Sequence, residues 1–278
     1  MSGLAVVTGC STGIGRATAV ALHERGYDVV ATMRDADKGA DLPCRVEALD
    51  VDDDASVQSV FAGLGAVDVL VNNAGVAGLG STEDAALGLF RSVMETNFFG
   101  AVRCAQHVIP GMRQRGGGCI VNVSSVAGRM TTPVQGAYHA SKFALEGWSE
   151  VLAAELVGFG VRVAIIEPGV VLTPIWTKPA DPASSAYARL QERTVELLFA
   201  NARHGTTSED AAAVILDAIT TESPRLRWPV GPDADQLLAR AAATSDDERV
   251  AVHAIDDDRE YWAEMRRLYG PDVLPDAG

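Results

Sequence analysis

Short apolar runs alternate along most of the chain with longer segments of helical periodicity. Apolar runs of this kind predict strands that are buried on both faces. The predicted strands are residues 4–7, 27–33, 46–49, 67–71, 119–123, 161–166 and 226–230. Strands that alternate with helices are typical of a doubly wound sheet. The pattern therefore predicts an α/β fold with a single parallel β-sheet of the Rossmann type, flanked by helices.

The helical segments predict how the chain is organised around this sheet. Predicted helices are residues 14–25, 82–115 with a break near Gly88, about 137–151, 207–221, 234–243 and 247–268. Residues 174–205 open with turn residues and continue at helical spacing. Because they follow the carboxyl end of a strand, we predict a substrate lid there. No second domain is visible, so we expect one domain over residues 1–278 with a helical acidic C-terminal extension from about 233 to 278.

A glycine-rich turn joins the first strand to the first helix. Gly9 permits a tight turn, Gly13 lets the backbone approach a pyrophosphate, and Gly15 lets helix and strand pack closely. Backbone N–H groups and the positive helix end attract phosphate. A plain tight turn is the alternative, but the position between strand and helix favours a dinucleotide site. Its predicted residues are Gly9, Ser11, Thr12, Gly13, Ile14 and Gly15.

The end of the second strand bears on which dinucleotide binds. It reads Met33-Arg34-Asp35. Arg34 could hold a 2′-phosphate through charge-assisted hydrogen bonds, which favours NADP(H). If the strand runs one or two residues further, Asp35 could instead bind a ribose hydroxyl, which keeps NAD(H) possible. A plain surface charge is the remaining interpretation of Arg34.

Small and polar residues end the other predicted strands, where ligands bind in such sheets. Asp50 could accept a hydrogen bond from an adenine amino group, or cap the segment that begins near Asp53. The segment after residue 166 could pack on a nicotinamide, with Thr173 bonding its amide. The further candidates for cofactor binding are Asp50, Val51, Asn73, Ala74, Gly75, Pro168, Gly169, Val171 and Thr173.

Three side chains between residues 120 and 150 suit proton transfer. Tyr138 and Lys142 are four residues apart, so both lie on one face near the start of a predicted helix. Ser125 ends the preceding strand and can face them across a cleft. An ammonium near a phenol favours the phenolate, so we expect Lys142 to lower the Tyr138 pKa. Asn97 is a polar residue among apolar neighbours in a predicted helix, and it could satisfy backbone groups at a kink.

Composition and charge narrow the possible partners. The chain has 278 residues and a formal net charge of −14, which argues against nucleic-acid and anionic-membrane surfaces. Seven of the fourteen excess negative charges follow residue 232, and we interpret them as a solvated face. The four cysteines lack metal-like spacing, so no metal site is expected, and Cys104 and Cys119 indicate core residues in a reducing compartment. With no signal peptide or membrane-length apolar run visible, we expect a soluble cytoplasmic protein.

Taken together, these motifs resemble the short-chain dehydrogenase/reductase family over about residues 4–230. The motifs are Thr8-Gly9-x-x-x-Gly13-Ile14-Gly15, Asp50-Val51, Asn72-Asn73-Ala74-Gly75, Asn97, Ser125, Tyr138-x-x-x-Lys142 and Pro168-Gly169 with Thr173. The resemblance implies a catalytic tetrad of Asn97, Ser125, Tyr138 and Lys142. Within the family, the chain looks like the 17-beta-hydroxysteroid and retinol dehydrogenase branch, which is mostly NADP(H)-linked.

The resemblance implies hydride transfer between a nicotinamide and a carbonyl or alcohol carbon. In that scheme Tyr138 exchanges the proton, Ser125 bonds the substrate oxygen, Lys142 holds the nicotinamide ribose and Asn97 anchors a relay water. The apolar lid favours a hydrophobic ketone or secondary alcohol, such as a steroid, retinoid-like or polyketide compound. The resemblance also implies a homodimer or homotetramer that pairs the helices of Asn97 and Tyr138. Alternatives are an NAD-linked alcohol dehydrogenase and a non-catalytic nucleotide-binding redox sensor.

Overall fold

The computed structural model describes residues 3–171, 173, 184, 186–202 and 205–270. These residues contain a seven-stranded parallel sheet in the order β3-β2-β1-β4-β5-β6-β7. The strands are β1 (Leu4–Thr8), β2 (Asp28–Met33), β3 (Arg45–Ala48), β4 (Val67–Asn72), β5 (Gly118–Val123), β6 (Val161–Pro168) and β7 (Arg227–Val230). The predicted Rossmann-type α/β fold is confirmed.

Helices cover both faces of the sheet, as the apolar strands require. They are α1 (Gly13–Glu24), α2 (Asp54–Ala62), α3 (Leu87–Met94), α4 (Gly100–Arg115), α5 (Gly136–Leu156), α6 (Ala188–Ala202), α7 (Ser208–Thr220), α8 (Pro232–Ala243), α9 (Asp246–Ala251) and α10 (Asp258–Tyr269). Apolar side chains of α1 and α7 fill one face, and those of α2, α4 and α5 fill the other. Cys104 and Cys119 are buried in these layers, as predicted.

The structure corrects three predicted helix features. The helix predicted from residue 82 begins only at Leu87, because Ser81 and Asp84 hydrogen-bond each other in a turn before it. The helix then continues through Gly88 without a break. Its irregularity lies further on, in the π-helical turn Glu95–Phe99. The helix predicted from residue 207 begins at Ser208 as α7, and Thr207 is its N-cap.

The predicted final helix is also wrong in its continuity. Residues 247–268 form α9 and α10, separated by a short turn after which the Asp257 carboxylate accepts from the Glu260 N–H and caps α10. Aspartate is a strong N-cap because its side chain satisfies a free backbone donor. An acidic residue in this extension therefore starts a helix.

The C-terminal extension packs on the rest of this chain through apolar side chains. Met265 and Tyr269 are buried with Met130 and Leu237, while Trp262 is partly buried beside them. The acidic residues are not only a solvated face. Asp258 binds the guanidinium of Arg193, a residue of α6 that is 4% exposed.

Arg193 joins the lid to the extension. It donates to the Ile255 and Asp256 carbonyl oxygens at 2.8 and 3.0 Å, and its guanidinium lies 3.9 Å from the ring centroid of Tyr261. Only residues 184, 186–202 and 205 of the predicted lid are described, so its turn residues 178–182 lie outside the described part of the chain. Across the described residues, no helix is both long and apolar enough to span a bilayer.

Replacing Arg193 with Met tests this connection. Because the substitution leaves two backbone carbonyls without their donor, we expect a loss of about 2 kcal/mol in the free energy of unfolding. Hydrogen exchange in residues 252–270 is expected to accelerate. Arg189→Met is the matched control, since Arg189 is half-exposed and pairs with the same Asp258; its loss is expected to stay below about 1 kcal/mol. Equal losses in the two variants contradict the assignment.

Candidate active site

The turn between β1 and α1 depends on glycines for its backbone conformation and is hydrogen-bonded to the residues that follow β4. Gly9 and Gly13 have φ of 74° and 61°, where a side chain would strain the backbone. The Thr8 hydroxyl accepts from the N–H groups of Asn73 and Ala74 at 3.0 Å each. The Asn73 side chain donates back to the carbonyl oxygens of Thr8 and Gly9 at 2.9 and 3.2 Å. Asn73 thus fixes the shape of the glycine turn.

A cleft of about 320 Å³, here called the main cleft, runs along the carboxyl ends of the strands. It brings together eighteen of the predicted residues: Gly9, Ser11, Thr12, Gly13, Ile14, Arg34, Asp50, Val51, Asn73, Ala74, Gly75, Ser125, Tyr138, Lys142, Pro168, Gly169, Val171 and Thr173. Gly15 and Asn97 do not line it. Gly15 instead lets α1 approach the Gly9 carbonyl, because a Cβ there would lie 2.6 Å from that oxygen.

Sequence reasoning missed several residues that also line the main cleft. They are Met33, Leu49, Asp52, Val76, Ala77, Thr96, Val123 and Ser124. Most of them end a strand or lie directly after one, which is a signal that the sequence does carry. Thr96 has no such signal, since it reaches the cleft from the π-helical turn and donates to the Asp52 carboxylate at 2.9 Å.

The candidates Arg34, Asp35 and Asp50 differ in whether their side chains line the main cleft. β2 ends at Met33, and Arg34 then lines the main cleft. Asp35 is not among the lining residues, and its carboxylate lies 3.6 Å from the Lys38 ammonium. Asp50 lines the cleft and accepts from the Asp52 N–H, whereas the cap of α2 is Asp53.

Ser125, Tyr138 and Lys142 converge where β5 meets α5, and all three are buried. The Lys142 ammonium donates to the Val123 carbonyl oxygen at 2.8 Å and lies 5.7 Å from the Tyr138 ring centroid. Ser125 hydrogen-bonds the Tyr138 side chain, and its hydroxyl also accepts from the Ala127 N–H at 3.1 Å. The arrangement places a phenol, a hydroxyl and an ammonium in one dry corner of the cleft.

Burial dominates the protonation of this cluster. It raises the pKa of Tyr138 to about 12, with the Ser125 hydrogen bond acting in the opposite direction. The expected lowering of the Tyr138 pKa by Lys142 is therefore wrong in its net direction, because the cost of a buried phenolate is larger. Burial also lowers the pKa of Lys142 to about 8, opposed by the Glu146 carboxylate. Tyr138 is thus held as a phenol, the form that donates a proton.

Asn97 lies in the π-helical turn and is 2% exposed. Its side-chain oxygen accepts from the Val76 N–H at 2.7 Å, and its side-chain nitrogen donates to the Val76 carbonyl at 2.9 Å and the Ser141 hydroxyl at 2.9 Å. As predicted, the Asn97 side chain hydrogen-bonds backbone groups at an irregular turn of the helix. These bonds tie the segment after β4 to α5, one residue before Lys142.

His139 holds the loop between β5 and α5, and no motif or spacing in the sequence marks this role. Its Nδ1 lies 2.8 Å from the Ala127 carbonyl oxygen, and its Nε2 accepts from the Thr132 N–H at 3.0 Å. Burial lowers the His139 pKa, so the ring is neutral with its proton on Nδ1. The imidazole therefore spans the loop that leads from Ser125 to Tyr138.

A smaller pocket of about 80 Å³, here called the apolar pocket, adjoins the main cleft and shares Ser125, Tyr138 and Gly169 with it. One wall comes from α6 through Thr194, Leu197 and Leu198. The C-terminal extension supplies another wall, formed by Leu237, His253, Tyr261, Met265 and Tyr269. Among the described lining residues there is no Asp, Glu, Lys or Arg, so the charged α6 residues Arg189, Glu192 and Arg193 do not line the pocket.

The chain is similar in sequence and in fold to known proteins. The family model for short chain dehydrogenase matches residues 3–183. Retinol dehydrogenase 8 from Bos taurus is 39% identical over 264 residues, which cover 85% of this chain and 84% of that protein. A short-chain dehydrogenase structure from Streptomyces avermitilis has a TM-score of 0.79 at 34% identity, covering 92% of this chain and 100% of that one.

A further solved structure is similar in fold and contains a bound nucleotide. A short chain dehydrogenase from Burkholderia cenocepacia, solved in complex with NADP, has a TM-score of 0.73 at 26% identity and covers 91% of this chain and 96% of its own. The predicted resemblance to the retinol dehydrogenase branch is confirmed by the named relative. With the family model matching well over half of its length, the chain belongs to the short-chain dehydrogenase family.

Proposed function

We propose that this oxidoreductase is NADP(H)-dependent and transfers hydride between the nicotinamide and the carbonyl or secondary alcohol carbon of a neutral hydrophobic substrate. The observation that carries the proposal is that Ser125 and Tyr138 line both the main cleft and the apolar pocket. A cofactor in the main cleft and a substrate in the apolar pocket therefore meet at the two hydroxyl groups.

The donor set of the main cleft fits a dinucleotide. The glycine turn offers backbone N–H groups at the start of α1. A Cβ at Gly13 would lie 3.0 Å from the Thr173 side chain, so Thr173 lies directly beside this turn. When bound, the nicotinamide supplies or accepts the hydride. Lys142 would hold its ribose, and Thr173 would bond its amide.

The residues of this chain manage the proton. In reduction the Tyr138 phenol donates its proton to the carbonyl oxygen and becomes a phenolate. In oxidation the reverse step runs, and the phenolate form of Tyr138 takes the alcohol proton. Ser125 hydrogen-bonds the same oxygen and stabilises developing charge there. Asn97 keeps α5 and the segment after β4 in place through Val76 and Ser141, which holds Lys142 in position.

Tyr138→Phe tests the catalytic assignment. Because the substitution removes only the proton donor, we expect turnover to fall at least about 100-fold, while NADPH affinity by fluorescence titration changes by less than about threefold. Tyr27→Phe is the control, since Tyr27 is equally buried but lies before β2, at the opposite edge of the sheet. Near-unchanged turnover in Tyr138→Phe would exclude this mechanism.

The preference for NADP(H) is supported by the end of β2. Arg34 lines the main cleft directly after the strand, while Asp35 lies outside the lining and pairs with Lys38. A guanidinium binds phosphate through two parallel hydrogen bonds. A family member solved with NADP is consistent with the proposal.

Arg34→Ala tests this preference. We expect the Kd for NADPH to rise about tenfold or more, and the Kd for NADH to stay nearly constant, because only NADPH carries the 2′-phosphate. Fluorescence titration with both cofactors measures the ratio. Lys38→Ala removes a nearby exposed cation that does not line the cleft and is expected to leave the ratio unchanged. Tighter binding of NADH by the unsubstituted protein points to an NAD-linked alcohol dehydrogenase instead.

The substrate class is supported by the lining of the apolar pocket. Its described walls carry no Asp, Glu, Lys or Arg. Apolar and aromatic side chains of α6, α8 and α10 line one side, and residues 125–139 supply half of the lining. Burying a charged substrate group there would lack a compensating partner. A neutral ketone or secondary alcohol on a steroid, retinoid-like or polyketide skeleton fits this chemistry.

Leu198→Asp tests whether the substrate occupies this pocket. A carboxylate at a lining position is expected to raise the KM for an apolar ketone, such as a decalone, about tenfold or more, because it must be desolvated when the ketone binds. Phe199→Asp is the matched control: Phe199 is the next residue, is 67% exposed and does not line the pocket. If both variants raise KM equally, the pocket is not the substrate site.

The quaternary and cellular context is part of the same proposal. Phe99, Phe143 and Val151 expose 46%, 43% and 55% of their surface near the π-helical turn and along α5, which supports a homodimer or homotetramer through these helices. All four cysteines are free, which supports a reducing compartment such as the cytoplasm. The packing of α8 and α10 on Met130 supports a single domain.

A further inference from the structure

A buried ionic network lies behind Lys142, outside both the main cleft and the apolar pocket. Its two carboxylates are Glu146 of α5, 4% exposed, and Glu167 of β6, 1% exposed. Arg227 of β7 donates to the Glu146 carboxylate from two nitrogens, at 3.2 and 3.1 Å. The same guanidinium lies 3.3 Å from the Glu167 Oε1, and the Arg129 guanidinium lies 3.4 Å from that same oxygen.

The network touches the catalytic cluster through α5. Glu146 follows Lys142 by four residues, so both side chains are on one helix face. A Cβ at Gly128 would lie 2.7 Å from the Glu146 Cγ and 3.0 Å from the Lys142 carbonyl oxygen. The Glu146 side chain therefore packs against the Gly128 backbone beside the helix turn that carries Lys142. Both charged side chains are buried, at 4% and 5% exposure, so solvent screens their interaction much less than on a surface.

The charges around Glu146 come from four elements. Arg227 of β7 and Arg129 after β5 are cations, while Glu167 of β6 and Glu150 of α5 are carboxylates. Burial raises the pKa of Glu146, while Ser124 and Arg227 act in the opposite direction. Arg227 contacts every one of the three carboxylates, so its guanidinium favours the charged form of Glu146 against the effect of burial.

We propose that Glu146 is a positioning residue for the reaction proposed above: its carboxylate, held by Arg227, keeps Lys142 an ammonium beside Tyr138. The inference rests on that proposed function for its catalytic meaning. Burial alone favours the neutral amine of Lys142. The neutral amine would lose the charge that holds the ribose and supports proton exchange at Tyr138.

The direct test follows the titration of Lys142 in the whole protein, without cofactor or substrate. With ¹³C-labelled lysine, the Cε resonance of Lys142, assigned by its loss in Lys142→Met, reports the midpoint of ammonium deprotonation. In Glu146→Gln we expect this midpoint to fall by about 1 pH unit, the low end of the effect of an adjacent opposite charge. Glu146→Asp, which keeps the carboxylate, is expected to recover at least half of that shift.

Glu150→Gln is the matched control. Glu150 is on the same helix and also pairs with Arg227, but its side chain is 56% exposed. Its removal is expected to move the Lys142 midpoint by less than about 0.3 unit, since solvent screens it. A Lys142 midpoint that is the same in Glu146→Gln and the unsubstituted protein overturns the proposal, as does an equal shift in Glu150→Gln.

A reciprocal measurement covers the case in which Glu146→Gln fails to fold. Coupling between two sites is equal in both directions. In Lys142→Met the ¹³C carboxyl resonance of Glu146 is therefore expected to titrate about 1 pH unit higher than in the unsubstituted protein, and an unchanged midpoint overturns the proposal.

The activity measurement separates this inference from the proposed function. In Glu146→Gln the fall of kcat at alkaline pH is expected to begin about 1 pH unit lower, because the active ammonium form is lost as pH rises through the lowered pKa. An active enzyme whose Lys142 midpoint does not shift contradicts the role of Glu146 alone. An inactive protein with the expected shift contradicts the proposed function alone.

Discussion

The parallel pairing of the strands is the constraint on which the site depends. Because every strand runs in the same direction, the loops after β1, β2, β4, β5 and β6 all emerge at one edge of the sheet. The register pairs Val123 of β5 with Ile166 of β6, so Ser125 and the Pro168-Gly169 turn follow at the same height. Residues more than a hundred positions apart thereby line one cleft.

The same constraint forces charged and polar groups into dry surroundings. Tyr138, Lys142, Glu146 and Glu167 all lie within the packed region between sheet and α5. Burial raises the pKa of Glu167 to about 7, with the neighbouring Glu146 acting in the same direction and Arg129 and Arg227 against it. Glu167 thus lies in surroundings where burial and its two arginine neighbours act on its protonation in opposite directions.

What could be predicted from the sequence was local. The glycine turn, the strand ends and the Tyr138-Lys142 spacing each depend on neighbours within a few residues, and their positions around the main cleft follow from the sheet order. The branch-specific Arg34 is also local, since it follows β2 directly. The fold class followed from the alternation of apolar runs and helices for the same reason.

What could not be predicted depends on partners far away in sequence. Arg227 binds Glu146, 81 residues earlier, and Arg193 binds Asp258, 65 residues later. No periodicity marks such pairs. The predicted lowering of the Tyr138 pKa was wrong for the same reason. The spacing to Lys142 is visible in the chain, but the degree of burial, which raises the pKa, is a property of the packed structure.

The position of the apolar pocket along the chain has a consequence for how this enzyme can change. The family model ends at residue 183, but the walls from α6, α8 and α10 all follow it. Under the function proposed above, substitutions in these walls alter contacts to the substrate but leave Tyr138, Lys142 and the glycine turn unchanged. Evolution, or a protein engineer, could then retune which molecule is recognised through the last third of the gene, without touching the groups proposed to carry the chemistry.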